Sequence, residues 1–129
     1  MMGNQMIYRT FNPKIHVAFA GLAFGLAVII TVSSLIPAQP SLTVNNMDKI
    51  LHVAAYAGLG IATLPAFPSI KPVSIWLGLC VFGLVIEVLQ GLMPTGRATD
   101  ILDGLANASG AFLALVAWAI LSRLVQKIT

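Results

Sequence analysis

The sequence predicts an all-α polytopic membrane protein, with four transmembrane helices packed as a compact antiparallel bundle in a single domain over residues 1–129. Three observations carry that expectation. Apolar residues make up 58% of the chain and charged residues only 9%, against roughly 25% charged in a soluble domain. The apolar residues gather into four runs, each long enough to cross a bilayer. Prolines and polar residues separate those runs, with no internal repeat or low-complexity tract between them. The same composition excludes a disordered chain. Net charge is only +3, with no Lys/Arg run to follow a phosphate backbone, so no nucleic-acid partner is expected. The lone Cys80 has no partner for a disulfide within the chain and no zinc-type spacing.

The first run, Ile15–Ile36, contains His16 but no acid, lysine or arginine. Asn12-Pro13 supplies a cap and a first helical turn, and Pro37 and Pro40 end the helix. The run exceeds the usual signal-peptide core of about 7–15 residues, so the helix is expected to be retained. Its Gly21-x-x-x-Gly25 pair permits a close helix approach, while His16 is read as an interfacial histidine without a role. The second run, Ile50–Phe67, follows Asp48, a good N-cap residue. The third, Val73–Met93, starts after Pro68-Ser69-Ile70-Lys71-Pro72, a connection short enough to make the second and third helices antiparallel neighbours. The fourth, Ile101–Val125, follows the equally short Pro94–Asp100 segment. At 1.5 Å per residue the runs reach from about 27 to about 37 Å, against a hydrocarbon core of about 30 Å. Helices are expected because an open strand leaves backbone groups unsatisfied in lipid.

Orientation follows from the cations. Arg9, Lys14, Lys71, Arg123 and Lys127 share one side, and only Lys49 and Arg97 lie on the other. That split predicts both termini in the cytoplasm of a multi-pass protein of the bacterial cytoplasmic membrane. All four carboxylates of the chain, Asp48, Glu87, Asp100 and Asp103, then fall at or just inside the outward-facing helix ends. Lys49, Arg97 and His52 sit at the same level.

Helical spacing sharpens this cluster. Asp48, His52 and Tyr56 are four apart and form one stripe. Glu87 and Gln90 share a face of the third helix, and Asp100, Asp103, Asn107 and Gly110 form a stripe entering the fourth. Glu87 lies about 10 Å below its helix end. An ionised carboxylate at that depth costs several kcal/mol unless paired, so these faces should turn toward one another. Lys49 at a helix N-terminus opposes the macrodipole, which implies a carboxylate close by.

The combined pattern resembles the VanZ-like family of small bacterial membrane proteins. The residues that carry it are Asp48-Lys49-x-x-His52-x-x-x-Tyr56-x-x-Leu59-Gly60, Glu87-x-x-Gln90, and Arg97-x-x-Asp100-x-x-Asp103-x-x-x-Asn107-x-x-Gly110. The resemblance implies a four-helix membrane domain and a link to the cell envelope. Its namesake is associated with resistance to the glycopeptide teicoplanin. It implies no particular reaction.

Three function classes are open to such a chain. The first is an envelope protein whose outward pocket binds a lipid or peptidoglycan-precursor headgroup. Its expected binding residues are Asp48, Lys49, His52, Tyr56, Glu87, Gln90, Arg97, Asp100, Asp103 and Asn107, with the cations taking a phosphate or carboxylate and the acids an amine or hydroxyls. The second is an enzyme on that headgroup, with Glu87 or Asp103 as base and His52 as acid–base partner. The third, a small transporter, is disfavoured because a carrier is expected to place polar residues at mid-membrane or in the cytoplasmic half, which is read as bare. Asp100-x-x-Asp103-Gly104 resembles the opening of the CDP-alcohol phosphotransferase signature, but Asn107-Ala108 stands where Ala-Arg is needed and no later Asp follows. A serine hydrolase is disfavoured too, with no GxSxG and Ser109 the only serine expected beside the cluster. A hard or borderline cation on His52, Glu87, Asp100 and Asp103 is chemically possible. Nothing in the spacing sets a geometry for it, so no metal or other cofactor is assigned.

Overall fold

The computed structural model describes residues 12–37, 47–94, 96 and 98–128. Four helices account for nearly all of them: α1 (Pro13–Leu35), α2 (Met47–Ala66), α3 (Pro72–Leu92) and α4 (Ile101–Ile128). Each is long and apolar enough to cross a membrane. No strand occurs among the described residues. The all-helical, four-span architecture is therefore as expected, with boundaries within three residues of the sequence reading.

Local chemistry explains where the helices start and stop. The Asn12 side chain accepts a hydrogen bond from the Lys14 backbone N–H at 3.0 Å, and Pro13 occupies the first turn of α1. Ile36 leaves the helix with extended backbone ahead of Pro37. Pro72 opens α3 in the same way. Asp100 caps α4, its carboxylate accepting the Leu102 N–H at 2.8 Å. Asp48 departs from expectation: α2 already includes Met47, so Asp48 sits within the first turn rather than capping it. That frees its carboxylate to reach along the helix.

The order of packing also differs from the simplest reading of the short connections. The most extensive contact joins α2 to α4; α1 packs on α2, α3 packs on α4, and α2 touches α3 only lightly. Antiparallel neighbours in sequence thus leave α2 and α4 parallel, forming a central pair that α1 and α3 flank. Small residues make this possible. A Cβ at Gly110 would run into the Val53 backbone, and one at Gly60 would lie 2.6 Å from Ala114 Cβ. Tyr56, Leu59, Ala62 and Leu64 of α2 meet Ala111, Ala114 and Trp118 of α4 in the same buried cluster. The α2 span has the highest buried share of the four, and α1 the lowest. The helix carrying the Asp48–His52–Tyr56 stripe is therefore the one best shielded from lipid.

Polar ties fix the register. His16 Nδ1 donates to the Pro65 carbonyl at 2.6 Å, so His16 fastens the start of α1 to the end of α2 rather than standing idle at the interface. Pro65 lies in the last turn of α2, where carbonyls lack intrahelical partners. Trp76 Nε1 donates to Ala108 O at 3.1 Å, and its ring meets Phe112 edge-on. Among the described residues, no other helix lies within 4 Å of a Cβ placed on Gly21 or Gly25, so that pair does not mediate helix packing there.

Candidate functional site

The antiparallel path brings the C-terminal ends of α1 and α3 to the same end as the N-terminal ends of α2 and α4. The polar residues converge there. Lys49 Nζ lies 3.5 Å from Asp100 Oδ2 and 3.7 Å from Asp103 Oδ1. The lysine that opposes the α2 dipole is thus held by two acids of α4, themselves favoured by the positive end of their own helix. His52 stands at the centre. Its Nδ1 donates to Asn107 Oδ1 at 2.8 Å. Its Nε2 faces Asp103 Oδ2 at 3.8 Å and Asp48 Oδ1 at 3.9 Å.

Below this layer, Glu87 is 2% exposed. Its Oε2 accepts the Asp100 backbone N–H at 3.3 Å, and its backbone carbonyl accepts the Thr99 hydroxyl at 3.2 Å. Glu87 Oε1 has no hydrogen-bond partner among the described residues. Tyr56 is 1% exposed, packed beside Phe82 and Gly83, and its hydroxyl also has no partner there. Gly83 keeps this packing close, because a Cβ on it would lie 3.3 Å from both Asn107 Cβ and the Tyr56 ring.

A cleft of about 200 Å³ opens beside this network, between α1 and α2. Asp48, His52 and Tyr56 form its α2 wall, and Ile30, Ser33 and Ser34 its α1 wall. His52 belongs to both the cleft and the acid layer behind it.

The expected site residues therefore divide. Asp48, Lys49, His52, Asp100, Asp103 and Asn107 form one connected network. Tyr56 and Glu87 lie against it in the interior. Gln90 does not join it, since its Nε2 donates to the Ser34 carbonyl of α1 at 2.8 Å. Arg97 lies outside the described residues. Ser109 is exposed and bonds its own helix at Leu105 O; the serines beside the site are Ser33 and Ser34 instead. Those two and Thr99 were not legible in the sequence. Each sits in or near a helix end with no spacing signal, and only the packing of one helix on another brings it to the site.

The donor set within coordinating reach also differs from the one the stripes suggest. Ligand atoms of Asp48, His52 and Asp103 all lie within 4.8 Å of one another. Glu87 and Asp100 do not belong to that group.

The model of the VanZ/LLP1 family matches residues 5–122. The chain belongs to that family. Every site residue expected from the sequence falls inside the VanZ/LLP1 match, as do α1 to α3 in full and most of α4. Neither a curated protein nor a solved structure matched the chain.

Proposed function

We propose that this VanZ/LLP1 protein binds the headgroup of a membrane lipid or peptidoglycan precursor at the polar end of its bundle. One observation carries the reading. The charged network is not sealed, because His52 and Asp48 open onto a cleft of about 200 Å³ near the ends of the helices. Ligand pockets for whole small molecules run to about 300–1,000 Å³. A cleft smaller than that range suits a phosphate, carboxylate or amine fragment whose tails remain in lipid. Lys49 and Arg97 would neutralise an anionic group, and Asp48 would take an amine or hydroxyl.

The excess of Arg and Lys near the opposite end supports an outward-facing site with both termini in the cytoplasm, in a bacterial cytoplasmic membrane. If the bound group belongs to a cell-wall precursor, the phenotype that follows is a change in susceptibility to glycopeptides such as teicoplanin.

Glu87 favours a second reading, an enzyme acting on the same headgroup. Its buried carboxylate has one oxygen free of hydrogen bonds among the described residues, and His52 lies near enough for charge interaction. Glu87 does not line the cleft, however, so binding ranks first. The test compares Glu87→Gln with His52→Gln at matched expression and Tm. It reads glycopeptide susceptibility of a sensitive host and lipid mass spectra of cells with and without the protein. Binding alone predicts that Glu87→Gln keeps most of the phenotype while His52→Gln loses it. Catalysis by Glu87 predicts a loss of about 10²–10⁴-fold in rate and a lipid species that vanishes in the Glu87→Gln strain.

A further inference from the structure

We propose that Asp48, His52 and Asp103 hold a divalent cation of the Zn²⁺ or Mn²⁺ class at the mouth of the cleft. The argument begins with the histidine. The 2.8 Å bond from Nδ1 to Asn107 Oδ1 puts the Nδ1 proton on the asparagine side. With Nδ1 engaged by Asn107, Nε2 is the ring nitrogen turned toward two carboxylates, Asp103 Oδ2 at 3.8 Å and Asp48 Oδ1 at 3.9 Å. Those separations are too long for hydrogen bonds and leave room between the three side chains for a single ion. Three donor atoms within 4.8 Å of one another close onto one ion at about 2.0–2.2 Å with small side-chain movements. One imidazole with two carboxylates is a mixed set that suits a borderline cation better than Ca²⁺ or Cu⁺. Asn107 has the place of the outer partner that orients a metal-bound histidine.

A second observation points the same way. Glu87 is 98% buried by its 2% exposure, and Oε1 has no hydrogen-bond partner among the described residues. Its other oxygen is tied to Asp100 N, which directs the carboxylate to the turn of α4 that bears Asp103. Lys49 faces the Oδ1 side of Asp103 as an ion pair at 3.7 Å, which leaves Oδ2 toward His52. Lys49 pairs with Asp100 and Asp103, and among the described residues no lysine or arginine pairs with Asp48 or Glu87, in surroundings where unpaired charge is costly. A dication supplies what the lysine does not. This inference stands apart from the headgroup reading, since metal is measured with no lipid ligand present.

The experiment uses the full chain in detergent, stripped with chelator, dialysed, and loaded with Zn²⁺ alone or Mn²⁺ alone. Bound metal is read by mass spectrometry and stability by Tm. Wild type should retain about one ion per chain with a raised Tm. Asn107→Ala should bind about 10–100-fold more weakly, and His52→Gln and Asp48→Asn should lose the ion. His16→Gln, at the opposite end of the bundle, should keep it. Should His52→Gln fail to fold, Asp48→Asn decides, because that side chain is exposed in the first turn of α2. Wild type that retains neither metal, or equal retention by Asp48→Asn and wild type, overturns the proposal. So does loss of the ion in a folded His16→Gln.

Discussion

At the scale of single residues, the charged network is organised by pairs that each satisfy a different need. Asn107 orients His52, Lys49 answers the acids of α4, and Asp100 both caps α4 and hands its N–H to Glu87. The Asp48–His52–Tyr56 stripe and the Asp100–Asp103–Asn107 stripe were legible because helical spacing is written in the chain. The partner of Gln90 was not, since a backbone carbonyl on α1 leaves no mark in residue type. Lys49 offers the sharpest test at this scale. Its side chain is 36% exposed and that of Asp103 13%, so the pair lies between the surface and buried limits. Lys49→Ala should destabilise the detergent-solubilised protein by about 1–3 kcal/mol. The double variant Lys49→Ala with Asp103→Asn should lose less, because both charges leave together. Equal or additive losses in thermal unfolding would show that the two are not coupled.

Among the elements, the parallel α2–α4 pair decides the geometry of the site. The four helices themselves could be read from run length, proline placement and the Asn12 cap. Which helices would press together could not. Short connections predict sequence neighbours, whereas the tight interface depends on where glycine and alanine happen to face each other. Gly110 against Val53 is the tightest such place, and there the obstacle is backbone rather than a flexible side chain. Gly110→Ala should therefore force α2 and α4 apart and cost about 1–3 kcal/mol. The accompanying shift should weaken the His52–Asn107 bond three residues away. Gly21→Ala and Gly104→Ala, whose added Cβ meets no other helix among the described residues within 4 Å, should leave Tm unchanged. Denaturation in detergent distinguishes the three. A Gly110→Ala protein as stable as wild type would mean that this contact does not set the helix spacing.

For the whole molecule, the acids and the lysine-rich face lie at opposite ends of four membrane-length helices. If both termini are cytoplasmic, cysteines placed at Ser41 and Thr95 in a Cys80→Ala background should react with an impermeant thiol reagent in intact cells, and one at Ser69 should not. Labelling at Ser69 alone would reverse the orientation and put the cleft on the inside. The cleft has one more property at this scale. Its α2 wall is built into the central pair of helices, but its α1 wall belongs to the helix least surrounded by protein. Near that wall, the Gln90 amide from α3 grips the carbonyl of Ser34, one of the last in α1. The aperture is thus braced by a strut from a helix that contributes nothing to the cleft lining. An interhelical bond of this kind is worth about 0.6 kcal/mol in a membrane, close to thermal energy. That bond adds little to the packing of α1 on α2, which is what holds the two walls of the cleft together.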